Sequence, residues 1–292
     1  QLNKEPVVAQ ICKVRANAYL YKGENKKAFS DLMLAKKLAP KDGEVALMLG
    51  PIFEAEGRNS DALAEYDRAI TLKYTRAYAS RAKLQIKLSK LAEGIADSLL
   101  YMRATKDMAL QDSLINELTQ QKKQRELVLL CDAFIKANLA RPIAYSTKAN
   151  ALFELKRYDQ ALQVCDQSGK SHGDQLDTQR FQIYVAQKQR DKAFAQLRRL
   201  IKSKPQDLQL YLWRADLYIT ERHYDLALAD LIRANALVLK DKEALAKRAE
   251  CYFRTGKYGE AGRDYALVNV TGANVETLTC EALSRKGLKD YK

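Results

Sequence analysis

Apolar and polar positions along this chain recur in a block of about 34 residues, from near the N-terminus to near the C-terminus, and the recurrence sets the architecture before any single residue does. Four segments align without gaps: RANAYLYKGENKKAFSDLMLAKKLAP from Arg15, LGPIFEAEGRNSDALAEYDRAITL from Leu49, RADLYITERHYDLALADLIRANAL from Arg214 and RAECYFRTGKYGEAGRDYALV from Arg248. Each carries apolar residues at helical spacing, a short break and a second helical stretch, so each predicts helix, tight turn, helix. Numbering the block so that the turn residue Gly23, Gly57, Arg222 or Gly256 is position 15 extends four repeats to eight, starting near 9, 43, 75, 111, 142, 174, 208 and 242.

Within the block, size is patterned as well as polarity. Position 20 holds Ala28, Ala62, Gly94, Ala161, Ala193, Ala227 and Ala261, and position 8 holds Ala16, Gly50, Ala82, Ala149, Ala215 and Ala249. Large residues stand beside them: Tyr19, Phe53, Tyr184, Tyr218 and Tyr252 at position 11, and Leu32, Tyr66, Leu197, Leu231 and Tyr265 at position 24. A small hole beside a large knob on each helix is what close packing of two helices requires. The repeat near 111 departs furthest, with Leu118 read at position 8 and Leu130 at position 20, which predicts an unusual packing angle there.

These positions, with Tyr158, Tyr224 and Tyr258 at 17, Ala35, Ala69, Ala137 and Ala234 at 27, and Pro40, Pro142 and Pro205 at 32, resemble the tetratricopeptide repeat over roughly residues 9 to 275. The resemblance implies an all-α fold, a right-handed superhelical solenoid of about eight helix-turn-helix repeats. It divides the chain into an N-terminal extension (1–8), the solenoid (9–275) and a C-terminal capping helix (276–292). It also implies a concave groove lined by positions 2, 5, 6, 9, 12 and 13 of each first helix. On this chain that lining includes Lys13, Asn17, Arg76, Asn150, Gln179, Gln182, Trp213 and Lys247. Amides and hydroxyls both donate and accept, which suits an extended peptide backbone, and Trp213 has the character of an anchor. The family's carboxylate clamp is present only in part. Lys13 and Asn17 match and Arg76 keeps a charge, whereas Met48 and Ser80 replace the Asn and Arg.

The net charge of +14 raises a second reading, binding of a polyanion such as nucleic acid or an anionic envelope surface. Part of the positive charge has a structural use. Arg15, Arg81, Arg214 and Arg248 at position 7 each precede an aspartate by sixteen residues: Asp31, Asp97, Asp230 and Asp264. An arginine beside a buried small residue needs a partner, so these pairs are expected to bridge two helices. The surplus lies mainly in lysines of turns and outer helices (Lys36, Lys37, Lys122, Lys123, Lys202, Lys204, Lys240, Lys242), with no long basic run and no interleaving of aromatics.

Chemistry leaves little trace. His172, in a segment read as loop, and His223, in a turn, lack metal-ligand neighbours, and the chain has no HExxH, GxSxG, GxxxxGK or GxGxxG. The expectation is a non-catalytic protein-interaction scaffold with a protein or peptide partner, no cofactor and no metal. Five cysteines (Cys12, Cys131, Cys165, Cys251, Cys280) occupy positions of small apolar residues, with a disulfide or metal role as the alternative. No stretch has the ~20 consecutive apolar residues of a membrane span. The chain opens at Gln1 without Met, so something upstream is missing, either a removed export signal or the rest of a longer chain, which slightly favours an exported or periplasmic location over a cytoplasmic one. Pro51, inside a first helix, predicts a kink.

Overall fold

The computed structural model describes residues 5–172, 176–239, 241–270 and 275–290. Lys240, residues 1–4 of the extension and the side chain of His172 lie outside what is described. Among the described residues there are seventeen α-helices and no strand. They form two compact bodies, Gln1–Ser168 and Gly169–Lys292.

Repeats 1 to 4 are the pairs α1 (Glu5–Tyr21) and α2 (Asn25–Leu38), α3 (Gly43–Ala55) and α4 (Asn59–Thr71), α5 (Arg76–Lys87) and α6 (Leu91–Thr105), α7 (Ala109–Gln120) and α8 (Gln124–Lys136). Repeat 5 is α9 (Pro142–Glu154) and α10 (Tyr158–His172). Repeats 6 to 8 are α11 (Asp177–Ala186) and α12 (Arg190–Ser203), α13 (Leu208–Thr220) and α14 (Tyr224–Leu237), α15 (Lys242–Arg254) and α16 (Tyr258–Val270), followed by α17 (Val275–Asp290). Helix begins at Glu5, inside the expected extension, and Gly169–His172, expected as loop, is the last turn of α10.

One backbone device ends every first helix. Gly23, Gly57, Ser89, Lys122, Lys156, Lys188, Arg222 and Gly256 all have left-handed φ, between 54° and 76°. The amide that follows each donates back to the carbonyl five residues earlier, as in Glu24 to Tyr19, Lys123 to Leu118 and Lys257 to Tyr252, at 2.7–3.0 Å. This is a Schellman end, and it turns the chain into the second helix in two or three residues. The device also corrects the register of repeat 4. Its turn residue is Lys122, so the block begins at 108, not 111. Buried Ile115 and Leu127 stand at positions 8 and 20, Phe134 at 27, and Pro142 is the first residue of α9. The sequence reading slipped by three because this repeat has no small residue at either marker position.

The small residues are where two helices touch. Ala16, Ala28, Ala62, Ala82, Ala161, Ala193, Ala215, Ala227, Ala249 and Ala261 are buried. At Gly50 a Cβ would stand 2.2 Å from the Tyr66 ring, and at Gly94 one would stand 2.5 Å from Cγ1 of Ile86. Neither site has room for a methyl group. Helix α3 runs on through Pro51, which is exposed; the ring lacks the amide that would bond Leu47. Successive repeats share core: Ala69 with Ala77, Phe134 with Ala144, Leu200 with Leu210 and Ala234 with Ala244 lie in common clusters, each joining position 27 of one repeat to position 3 of the next. Cys12, Cys131, Cys165 and Cys251 are buried thiols, and Cys280 is a half-buried one. Burial pushes the thiols of Cys131 and Cys251 up to about 12.

Candidate partner-binding face

The position-7 arginines come first, because they determine which charges remain for a ligand. Arg15 Nε and Nη2 donate to both oxygens of Asp31 at 2.7 Å. Arg81 does the same to Asp97 at 2.7 Å, Arg214 to Asp230 at 2.8 and 2.6 Å, and Arg248 to Asp264 at 2.7 and 2.8 Å. The four forks have identical atom pairing, and each ties the first helix of a repeat to its own second helix. The aspartates are buried. A bidentate fork meets both lone-pair directions of a carboxylate at once, which a buried anion needs. Hydrogen bonds from Arg15 hold the Asp31 carboxyl below the usual carboxylate range.

In the N-terminal body, Asn17 on α1, Arg76 on α5 and Asn150 on α9 are exposed. Lys13 differs: its ammonium lies 2.8 Å from Asp42 and 2.7 Å from Glu44. Burial lowers its pKa, and hydrogen bonds to the two carboxylates more than offset this, leaving it raised. A charge already neutralised twice is poorly placed to clamp a ligand carboxylate.

In the C-terminal body, Gln182 on α11 is exposed and Gln179 half-buried. Trp213 on α13 stacks on Phe181 of α11, with ring centroids 5.3 Å apart and planes at 26°. Much of the indole thus serves to join two neighbouring first helices. Lys247 on α15 lies 2.5 Å from Asp216 and 2.9 Å from Glu243. Beside it opens a cavity of about 370 Å³, walled by Glu250, Phe253 and Arg254 of α15, Tyr265 of α16 and Cys280 of α17. Positions of α15 were legible in the repeat register. That Tyr265 and Cys280 reach the same cavity was not legible, because they enter only when α16 and α17 fold over the end of α15.

Stacked helix pairs, each closed by the same left-handed turn and most burying small residues at the same two positions, define an α-helical repeat solenoid. A family model for the tetratricopeptide repeat matches residues 214–269, which span most of repeats 7 and 8. Residues 214–269 are thus tetratricopeptide repeats, and the chain as a whole resembles that family.

One solved structure shows the same fold, and two more are similar at lower superposition scores. The C-terminal part of a TPR repeat-containing protein from Cytophaga hutchinsonii is 16% identical, covers 80% of this chain and 98% of its own, and superposes with a TM-score of 0.55. A tetratricopeptide repeat protein from Parabacteroides merdae is 18% identical over 95% of this chain and 99% of its own, with a TM-score of 0.36. The TPR domain of P58(IPK) is 15% identical over 97% and 99%, with a TM-score of 0.39. The fold generally mediates protein–protein interaction, and proteins built on it are generally non-catalytic scaffolds. No helix among the described residues is long and apolar enough to cross a membrane.

Proposed function

We propose that this protein is a non-catalytic scaffold that holds an extended peptide of a partner protein against the first helices of its repeats. The cavity beside α15 is the observation that carries this reading. Phe253 and Tyr265 offer apolar surface there. Arg254, whose nearest carboxylate, Glu250, is 3.7 Å away, retains a charge exposed enough to meet a peptide carboxylate or carbonyl. Pockets that combine apolar walls with a few polar groups are the usual shape of a binding site. Tight pairing of Lys13 and Lys247 within the fold moves the expected anchor from those lysines to Phe253 and Arg254.

A phage-displayed random peptide library selected on the immobilised protein supplies probes, whose affinities fluorescence polarisation then measures. Phe253→Ala and Arg254→Ala are expected to weaken selected peptides about tenfold or more, as hot-spot truncations do. Affinities unchanged by both substitutions would remove the cavity from the reading. The same titrations across salt address the polyanion alternative: a peptide held by apolar and hydrogen-bond contacts loses little affinity, whereas a heparin or oligonucleotide complex weakens about a thousandfold between 50 and 200 mM salt.

A further inference from the structure

Three cations of one first helix stand together without an acid. Elsewhere on first helices Lys13 touches Asp42 and Glu44, Lys148 touches Asp132, and Lys247 touches Asp216 and Glu243. On α5, by contrast, Arg76, Lys83 and Lys87 are exposed, and none of them forms an ion pair among the described residues. With Ser80 they make one stripe along the helix, at i, i+4, i+7 and i+11. Lys83 and Lys87 are like charges one turn apart, an arrangement that is unfavourable until an anion joins them.

The stripe is set into a cleft well inside the N-terminal body. Helix α5 has α3 and α7 as direct neighbours, and Lys83 and Lys87 share a cavity of about 190 Å³ with Glu54 of α3 and with Ser113 and Glu117 of α7. Neither glutamate is spent on a lysine. The Tyr66 hydroxyl donates to Glu54 at 2.5 Å, and Gln121 Nε2 donates to Glu117 at 2.6 Å. The flanking helices carry different chemistry at the block positions of Ser80, Lys83 and Lys87. On α3 these positions hold Met48, Pro51 and Ala55, an apolar row; on α7 they hold Ser113, Asn116 and Gln120, a row of uncharged donors and acceptors.

We propose, resting on the scaffold reading above, that this cleft binds a short acidic motif within an extended segment of the partner protein. Packed helices lie about 8–10 Å apart and an extended chain rises about 3.3 Å per residue, so the chain meets a new row about every third residue. The motif therefore carries an apolar residue on α3, an acid three residues away on α5, and an uncharged polar residue three further on α7. Lys83 and Lys87 hold the acid, with the Ser113 hydroxyl as a further donor. Glu54 and Glu117 repel acids placed to either side, which selects a short motif over a long acidic run. Nucleic acid, charged at every phosphate, meets both glutamates and is the poorer occupant.

The probes are the fluorescein-labelled heptapeptide Leu-Ser-Gly-Glu-Glu-Gly-Gln and its reverse, because the rows set the order of contacts and not the direction of the chain. Both are C-terminally amidated, so no terminal carboxylate takes part. In fluorescence polarisation titrations at low salt, one of them is expected to bind the 292-residue protein with a Kd of about 10–100 μM. Lys83→Glu and Lys87→Glu in the protein, and Gln for both Glu in the peptide, are each expected to weaken it tenfold or more. Both protein substitutions fall on exposed positions, and unchanged far-UV circular dichroism verifies that the fold is kept. No binding of either probe at about 1 mM, or equal binding to the Lys83→Glu protein, overturns the proposal. So does a single-stranded oligonucleotide that binds more tightly than the peptides and is lost with Lys83→Glu, because that outcome gives the stripe to nucleic acid. Library-selected peptides that still depend on Phe253 would then leave the scaffold reading standing while this cleft is removed from it.

Discussion

At the scale of single residues, this fold is constrained most tightly where side chains are absent. Gly50 faces the Tyr66 ring across a gap that a methyl group cannot enter, and Tyr66 cannot swing aside freely because its hydroxyl donates to Glu54 at 2.5 Å. Gly50→Ala is therefore expected to destabilise the protein by about 1–3 kcal/mol, the usual range for overpacking. The shift of the urea midpoint measures it. At Gly287 an added Cβ would stand 3.0 Å from the Tyr258 ring, a distance where a small movement suffices, and the corresponding loss is expected to be smaller. The arginine forks work differently. Each neutralises a buried aspartate, so their worth lies chiefly in the penalty an unpaired carboxylate would incur.

At the scale of elements, the left-handed residue that closes each first helix is used eight times but is glycine only three times. Lysine occupies it at Lys122, Lys156 and Lys188, serine at Ser89 and arginine at Arg222. A residue with a Cβ is strained in that conformation by about 1–2 kcal/mol, and glycine is not. Lys156→Gly is expected to raise stability by up to about 1 kcal/mol, since glycine's greater freedom in the unfolded chain takes back part of the gain. A thermal melt of the variant decides it: an unchanged or lower midpoint would mean that the lysine side chain makes a compensating contribution. Some first helices begin on side-chain caps. Asp42, Asp207 and Asp241 each accept an amide from the first turn of the helix they precede.

At the scale of the molecule, nearly all packing joins helices adjacent in the chain, so stability is passed from neighbour to neighbour. Gly94→Ala, which drives a methyl into Ile86, is expected to lower amide-exchange protection first in α5 and α6, less in α3, α4, α7 and α8, and least in α1. Hydrogen exchange resolved by mass spectrometry reads the gradient. A uniform loss across residues 5–168 would show instead that this body opens as one cooperative whole.

The repeat, the helix pairs, the buried small residues and the Arg–Asp spacing were all legible in the sequence, because each is a local demand that the same geometry makes in every block. An alanine must recur wherever two helices cross closely, and an arginine must find its acid at the same separation whenever the turn is the same. Repeat 4 was misplaced because Ile115 and Leu127 fill positions that carry the register elsewhere, leaving only backbone conformation at Lys122 to mark the turn. The candidate site was less legible still. Lys13 and Lys247 have the residue types of a ligand clamp, and only the folded chain shows Asp42, Glu44, Asp216 and Glu243 already holding them. The cavity beside Phe253 needs Tyr265 and Cys280 from two later helices, and the unpaired stripe on α5 looks in sequence like any other set of surface cations. Sequence by itself determined what one block must contain, since that depends on contacts within about 34 residues. Which charges are spent and which are left over was decided by tertiary structure alone, because both depend on what a neighbouring block brings to the contact.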